Sequence, residues 1–242
     1  SVCIGKDGML YASVGNTIQK IDPATKNITL FAGATESGND EGAALSARFD
    51  NPRGLCMDKA GNLYVADANN RRIRKITTNG QVSTLAGNER DGSYKPGTGK
   101  GANFFPFRSI AIDSKGNIYV PQNGNIGHCV AKVSAAGVVT TIAGDVEFRG
   151  DGKDGTGKAA HFNRMNCIAV DAQDNVIVGE QYCIRKITPA GVVSTIAGAN
   201  EPQWKDGDGT RARFGLIGGI SVDNKGSIYI SDLYCIRKMV RQ

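Results

Sequence analysis

Three acids close short apolar runs in this chain: Asp67 after Leu63-Tyr-Val-Ala, Glu180 after Val176-Ile-Val-Gly, and Asp232 after Ile228-Tyr-Ile-Ser. Gln122 holds the same place after Ile118-Tyr-Val-Pro. Donors stand just ahead of other short runs: Arg53, Arg108 and Asn166, with Gly218 in the corresponding last position. The segments between runs carry Phe107, Tyr182, Trp204 and Tyr234. Acceptors, forked donors and aromatic planes around one concavity suit a polar ligand such as a glycan, or a protein hot spot. A structural reading competes with this one. The acids fasten loops through backbone hydrogen bonds, or they salt-bridge Arg53 and Arg108.

Other chemistry is thin. His128 and His161 are the only histidines, and neither lies in a metal-ligand motif. No serine occupies a nucleophile elbow. The glycine-acid loops Asp151-Gly-Lys-Asp154 and Asp206-Gly-Asp208-Gly209, with Asp40-Glu41-Gly42, lack the glutamate-terminated calcium-loop spacing. They read as turn-forming aspartates. The expectation is therefore no catalytic residue, no metal and no cofactor. Of the six cysteines, Cys3 and Cys56 share one place in the repeat, where a small buried residue fits. Cys129, Cys183 and Cys235 share another, too far apart in adjacent repeats to bridge. Cys167 falls on the face of that second set and is placed to meet one of them, which leaves the redox compartment open.

What must position these residues is a repeat. Ala-Gly ends four short strands, at Gly33, Gly87, Gly144 and Gly198, with spacings of 54, 57 and 54 residues. A period of this size marks one supersecondary unit repeated along the chain. Each unit reads as a strand ending in Asp (Asp58, Asp113, Asp171, Asp223), a Gly/Asn turn, a second strand, a third of the type Ile73-Arg-Lys-Ile76, and a fourth of the type Val82-Ser-Thr-Leu85. Four hairpin-linked strands make a small sheet that must bury both faces against neighbours, and radial packing satisfies that need. The fold class expected is all-β: a β-propeller of five blades of four antiparallel strands, the last lacking its outer strand. A six-bladed ring closed from elsewhere is the alternative. The blades fall at about 1–33, 34–87, 88–144, 145–198 and 199–242 of a single domain.

In such blades the fourth-to-first connections share a face with the second-to-third loops. These connections are long (34–53, 88–108, 145–166 and 199–218), and long loops on a rigid scaffold carry function. Phe49, Phe104, Phe162 and Phe214 recur in register within them and read as packing between blades. Lys20, Lys75, Lys132, Lys186 and Lys238 recur once per third strand, as expected where edge pairing is resisted.

The run Asp58-x-x-Gly-Asn-Leu-Tyr-Val-Ala-Asp67, then Arg72-x-Ile-x-Lys-Ile, then Gly80-x-Val-x-Thr-x-Ala-Gly87, resembles the NHL-repeat family. That resemblance covers almost the whole chain and implies a propeller platform for protein, RNA or ligand binding, with occasional lyases and lactonases. The linkers are similar to those of bacterial surface proteins whose propellers follow immunoglobulin-like modules. This implies a binding module in the cell envelope or outside the cell, with a glycan or protein partner. The alternative it leaves is a lyase or lactonase acting at the channel mouth, where Glu180, Asn166 and Arg108 would stand.

Composition bounds the partners. A net charge of +6 with no run of five like charges argues against nucleic acid. No apolar stretch reaches membrane-spanning length. The first residues already form a strand, so a leader peptide is not expected among them.

Overall fold

The computed structural model describes residues 1–88, 92–148 and 151–240. The ends of the expected blades at 241–242, and the linker positions 89–91 and 149–150, lie outside the described residues. The chain is a five-bladed β-propeller of antiparallel sheets. The first sheet holds β1 (Val2–Ile4), β2 (Leu10–Val14), β3 (Thr17–Ile21) and β4 (Ile28–Gly33) in that order. The second is built from β5 (Gly42–Ala43), β6 (Pro52–Met57), β7 (Leu63–Asp67), β8 (Arg72–Ile76) and β9 (Gln81–Ala86), ordered β5-β9-β8-β7-β6.

The third repeats that order with β10 (Gly97–Thr98), β11 (Ala111–Ile112), β12 (Ile118–Asn123), β13 (His128–Val133) and β14 (Val138–Asp145). The fourth does so with β15 (Gly155–Thr156), β16 (Met165–Val170), β17 (Val176–Glu180), β18 (Cys183–Ile187) and β19 (Val192–Gly198). The fifth has three strands, β20 (Ile217–Val222), β21 (Ile228–Asp232) and β22 (Cys235–Met239). Among the described residues the fifth sheet has no outer strand, as the repeat count expects. Contacts divide the backbone into two compact units, Ser1–Ile118 with Val133–Val139, and Tyr119–Lys132 with Thr140–Gln242.

The two-residue strands β5, β10 and β15 were not legible as strands. Each comes from the linker and pairs with the outer strand of the sheet that the linker is about to enter. The linker is therefore a strap, bound across its own sheet before it supplies the first strand. Strap amides add to this: Ala44 donates to the Gly80 carbonyl, Gly99 to Gly137 and Gly157 to Gly191, at 2.8–3.0 Å.

The turn after each first strand is fastened by its aspartate. Asp58 accepts the Asn62 amide at 2.9 Å and its side chain at 2.8 Å. Asp113–Asn117 and Asp171–Asn175 repeat both bonds, and Asp223 accepts the Ser227 amide. Burial works to raise the Asp58 carboxyl, yet Asn62 and the Tyr64 hydroxyl hold it below the usual carboxylate value.

The recurrent Ala-Gly has a steric cause. Gly33, Gly87, Gly144 and Gly198 all sit at positive φ, between 80° and 99°. A Cβ there would lie 2.3–2.6 Å from the carbonyl oxygens of Asn16, Arg71, His128 and Tyr182. It would also press on the rings of Phe49, Phe104, Phe162 and Phe214, at 2.8–3.0 Å. Only glycine lets the phenylalanine close over the strand end. Those four rings are at most 3% exposed. Phe49 packs with Ile18 and Ala32 of the first sheet and Leu55 and Leu63 of the second. Phe214 joins Ile184 and Ala197 of the fourth sheet to Ile217 and Ile228 of the fifth. These rings do fill the space between sheets.

The third-strand lysines do something other than guard an edge, because an outer strand covers the third one in four sheets. Lys20, Lys75 and Lys238 instead lie over the rings of their cross-strand partners Tyr11, Tyr64 and Tyr229, at 5.4–5.8 Å.

Gly198→Ala should lower unfolding free energy by about 2–3 kcal/mol in urea titrations. Gly101→Ala, where an added Cβ meets nothing within 4 Å, should stay within about 0.5 kcal/mol of the parent. The lowered Asp58 carboxyl gives stability that is complete above the ordinary carboxylate value and is lost as pH falls through the lower folded value. The urea midpoint should drop between about pH 4 and pH 2, and less steeply in Asp58→Asn.

Candidate functional site

Strand β7 ends in Asp67, and the centre of β8 carries Arg74; the hairpin between them brings the two side chains together. Their Oδ2–Nη1 distance is 3.0 Å and both side chains are 0% exposed. Asp67 also accepts the Asp50 amide at 2.8 Å and the Asn70 side chain at 2.9 Å. The Arg74 fork reaches on to the strap, donating to the carbonyls of Arg48 and Asp40 at 3.2 and 2.7 Å. Its guanidinium lies over Phe49 at 5.3 Å.

The same clamp recurs twice. Glu180 binds Arg185 at 2.9 Å, and Arg185 donates to the carbonyls of His161 and Lys153 and to Asp154 at 2.8 Å, over Phe162. Asp232 binds Arg237 at 3.1 Å and accepts the Gly215 and Leu216 amides at 2.8 and 3.0 Å. Arg237 donates to the Arg213 and Lys205 carbonyls and to Asp206, over Phe214 at 4.7 Å. Burial pushes the Asp67 and Glu180 carboxyls upward, while Arg74 and Arg185 work against it.

These contacts take Glu180 and Asp232, each 1% exposed, out of reach of a ligand. They hold straps to sheets, as does Asp67. The alternative pairing with Arg53 and Arg108 is overturned too, since the third-strand arginines hold the acids. The clamp's other half went unseen in the sequence, although a signal was there. Where the third sheet has Gln122 for the acid it has Ala131 for the arginine, and the first has Val14 and Gln19. Both partners are dropped together.

The remaining candidates divide by exposure. Phe107 is only 2% exposed and packs edge-on to Phe104 at 5.3 Å, so it belongs to the core rather than to a binding surface. Asn166 is half-buried and donates to the Ile217 carbonyl at 2.8 Å, a tie between first strands. Tyr182 is half-buried. Trp204 and Tyr234 are 68% and 91% exposed. Arg53 and Arg108 are exposed and make no ion pair among the described residues.

The glycine-acid loops serve the clamps: Asp154 and Asp206 are arginine ligands. No group of three or more His, Cys, Asp or Glu side chains converges to hold a metal among the described residues. No disulfide joins the cysteines among the described residues, so Cys167 is not bridged to the second set. Burial pushes the Cys3 thiol up to about 11 and Cys167 to about 12, and raises Cys56 and Cys183, so none of these four is a ready nucleophile. One pairing was missed altogether. His161 Nδ1 lies 2.8 Å from Asp151, with its ring stacked on Phe148 at 4.1 Å.

Comparison with known proteins bears on this geometry. The family model of the teneurin NHL domain matches residues 32–104. NHL repeat-containing protein 2 of Bos taurus is 40% identical over 75 residues, covering 29% of this chain and 10% of its own. The chain is a β-propeller whose residues 32–104 are of the NHL type. This propeller spans about a tenth of the length of the curated relatives it matches first. An auxiliary nutrient binding protein from Bacteroides ovatus shares its fold with a TM-score of 0.68 at 18% identity, over 98% of this chain and 57% of that one. The streptogramin B lyase structure does so with a TM-score of 0.61 at 13% identity, over 99% and 67%. At such identities the likeness is of fold alone.

Removing one half of a clamp should cost more than removing both halves together. Arg185→Ala strands a buried carboxylate and should lower unfolding free energy by about 3–5 kcal/mol. Glu180→Gln with Arg185→Ala, the pairing the third sheet uses, should recover part of that. A double-mutant cycle in urea should give a coupling of at least about 1.5 kcal/mol.

Proposed function

We propose that this propeller is a non-catalytic binding module that offers its connecting loops to a glycan or protein partner, in the bacterial cell envelope or outside the cell. The observation that carries it is the pair Arg53 and Arg108. Both are exposed, both precede a first strand, and neither has a carboxylate among the described residues. They are neighbours in space: a Cβ on Gly54 would lie 3.1 Å from the Arg108 carbonyl oxygen. Two exposed arginines on neighbouring backbone, without a carboxylate partner among the described residues, suit a carboxylate or a comparable anionic group on a partner. In the other compact unit, exposed Trp204 and Tyr234 and half-buried Tyr182 offer aromatic planes of the kind that stack on sugars or anchor a protein contact.

The fold of the nutrient binding protein supports this reading, as does the loss of Glu180 and Asp232 to the clamps. Immunoglobulin-like neighbours in a longer protein belong to the same proposal, and nucleic acid does not. A second reading, a lyase or lactonase, draws on the His161–Asp151 pair and on the lyase of the same fold.

Arg53→Ala with Arg108→Ala should reduce binding on a glycan array or in a pull-down of surface proteins at least tenfold, with unfolding free energy within about 0.5 kcal/mol of the parent. Stability lost with affinity unchanged would sink the binding role. Lactone or glycosidic turnover abolished by His161→Gln in a folded protein would establish the second reading instead.

A further inference from the structure

The second sheet places a further set of polar side chains beside Arg53. Asp50 and Asn51 stand just ahead of β6, both half-buried, and Asn69 is exposed in the loop from β7 to β8. The Asn69 side-chain amide donates to Asp50 Oδ1 at 2.9 Å, and that of Asn51 donates to Asn69 Oδ1 at 3.4 Å. Arg53 follows Asn51 by two residues, its carbonyl held by the Ser13 hydroxyl at 2.8 Å. The next residue, Gly54, lies against the backbone of Arg108. All of these residues belong to one compact unit.

Fastening the strap does not require these side chains. What Asp67 takes from residue 50 is the main-chain amide, and in the fifth sheet a glycine does the same, the Gly215 amide donating to Asp232 at 2.8 Å. In the places of Asp50 and Asn51 the third sheet has Phe105 and Pro106, and the fifth has Gly215 and Leu216. The loop that carries Asn69 runs over residues 68–71, whereas the fourth and fifth sheets turn within 181–182 and 233–234. To the common repeat the second sheet thus adds a carboxylate, two amides and a longer loop, all next to the arginine pair. Asp50 Oδ2 and Asn51 Oδ1 meet no donor among the described residues.

We infer that this cluster selects a glycan bearing uronic acid residues, with sugar hydroxyls on Asp50, Asn51 and Asn69 and the uronate carboxylate on Arg53 and Arg108. The inference rests on the binding reading of the arginine pair and names its ligand. Arginine forks match a carboxylate with two parallel hydrogen bonds. Sugar hydroxyls donate and accept at once, and the side-chain amides beside Asp50 offer donors and acceptors to both needs. An acidic peptide would satisfy the arginines alone. It would also bring carboxylates up to Asp50, and that like-charge contact counts against it. Asp50 therefore discriminates between two ligands that the arginines would not tell apart.

The test is calorimetry on the 242-residue chain with tetramers of galacturonate and of mannuronate, their methyl esters, and tetraglutamate. Saturable binding of a uronate tetramer is expected, at least about tenfold weaker for its methyl ester and weakened by salt. Asp50→Gly, which installs the residue the fifth sheet carries there, should weaken the uronate at least about tenfold and strengthen tetraglutamate. Asn69→Ala, at an exposed position, should weaken the uronate alone. Thermal midpoints equal to the parent's show that both variants are folded. Equal binding of the methyl ester, or uronate affinity untouched in both variants, would overturn the inference. Tetraglutamate bound through Arg53 and Arg108 with no uronate bound would overturn it too, while leaving the arginine pair its binding role. Neither probe bound also overturns it, and the array and pull-down with the arginine variants then decide that role separately.

Discussion

A guanidinium buried over a phenylalanine ring, forked between a carboxylate and the carbonyls of a passing strap, is the interaction on which the rest of the molecule leans. Arg74 and Arg185 do this fully buried, and Arg237 does it with 12% of its side chain exposed. Taking an ion pair out of water costs several kcal/mol per ion, and the cost is recovered only if geometry and hydrogen bonds are nearly complete. A strap displaced by one residue would leave buried charge unanswered. The clamp therefore contributes less as net stability than as a penalty on every wrong placement of the loop. The first and third sheets show the same logic from the other side. Val14 with Gln19, and Gln122 with Ala131, dispense with acid and arginine at once, because keeping either alone would bury an uncompensated charge.

Much of the fold was written in the sequence at the level of short-range rules. Period-two runs, glycine at positive φ and aspartate after each first strand fix hairpins through contacts a few residues apart. Among the described residues the nineteen strands of the repeat, the two-residue β11 included, could be placed that way. The site was harder because its decisive contacts are not local. Asp206 and Arg237 stand 31 residues apart, and nothing in the glycine-acid loop itself says that its acid serves an arginine rather than a cation. Phe107 misled for a related reason. It sits in a linker, where aromatics look exposed, but the strap folds back onto the sheet and carries it inside with Phe104.

Once the acids are assigned to the clamps, the basic balance of the chain acquires a location. Clamped pairs cancel internally, so the surplus of +6 is carried by exposed side chains such as Arg53, Arg108 and Arg164. A surface of this kind attracts anionic groups at long range.

The pairing of each strap with the outer strand of the sheet it is about to enter, at β5, β10 and β15, has an evolutionary consequence. A stretch cut from one terminal glycine to the next, such as residues 34–87, contains a sheet together with its own fastening, ion pair and phenylalanine. Tandem copying of the corresponding coding segment would insert a module already complete, needing no compensating change in its neighbours beyond an apolar face to meet. Lineages built this way can gain or lose sheets in single genetic events.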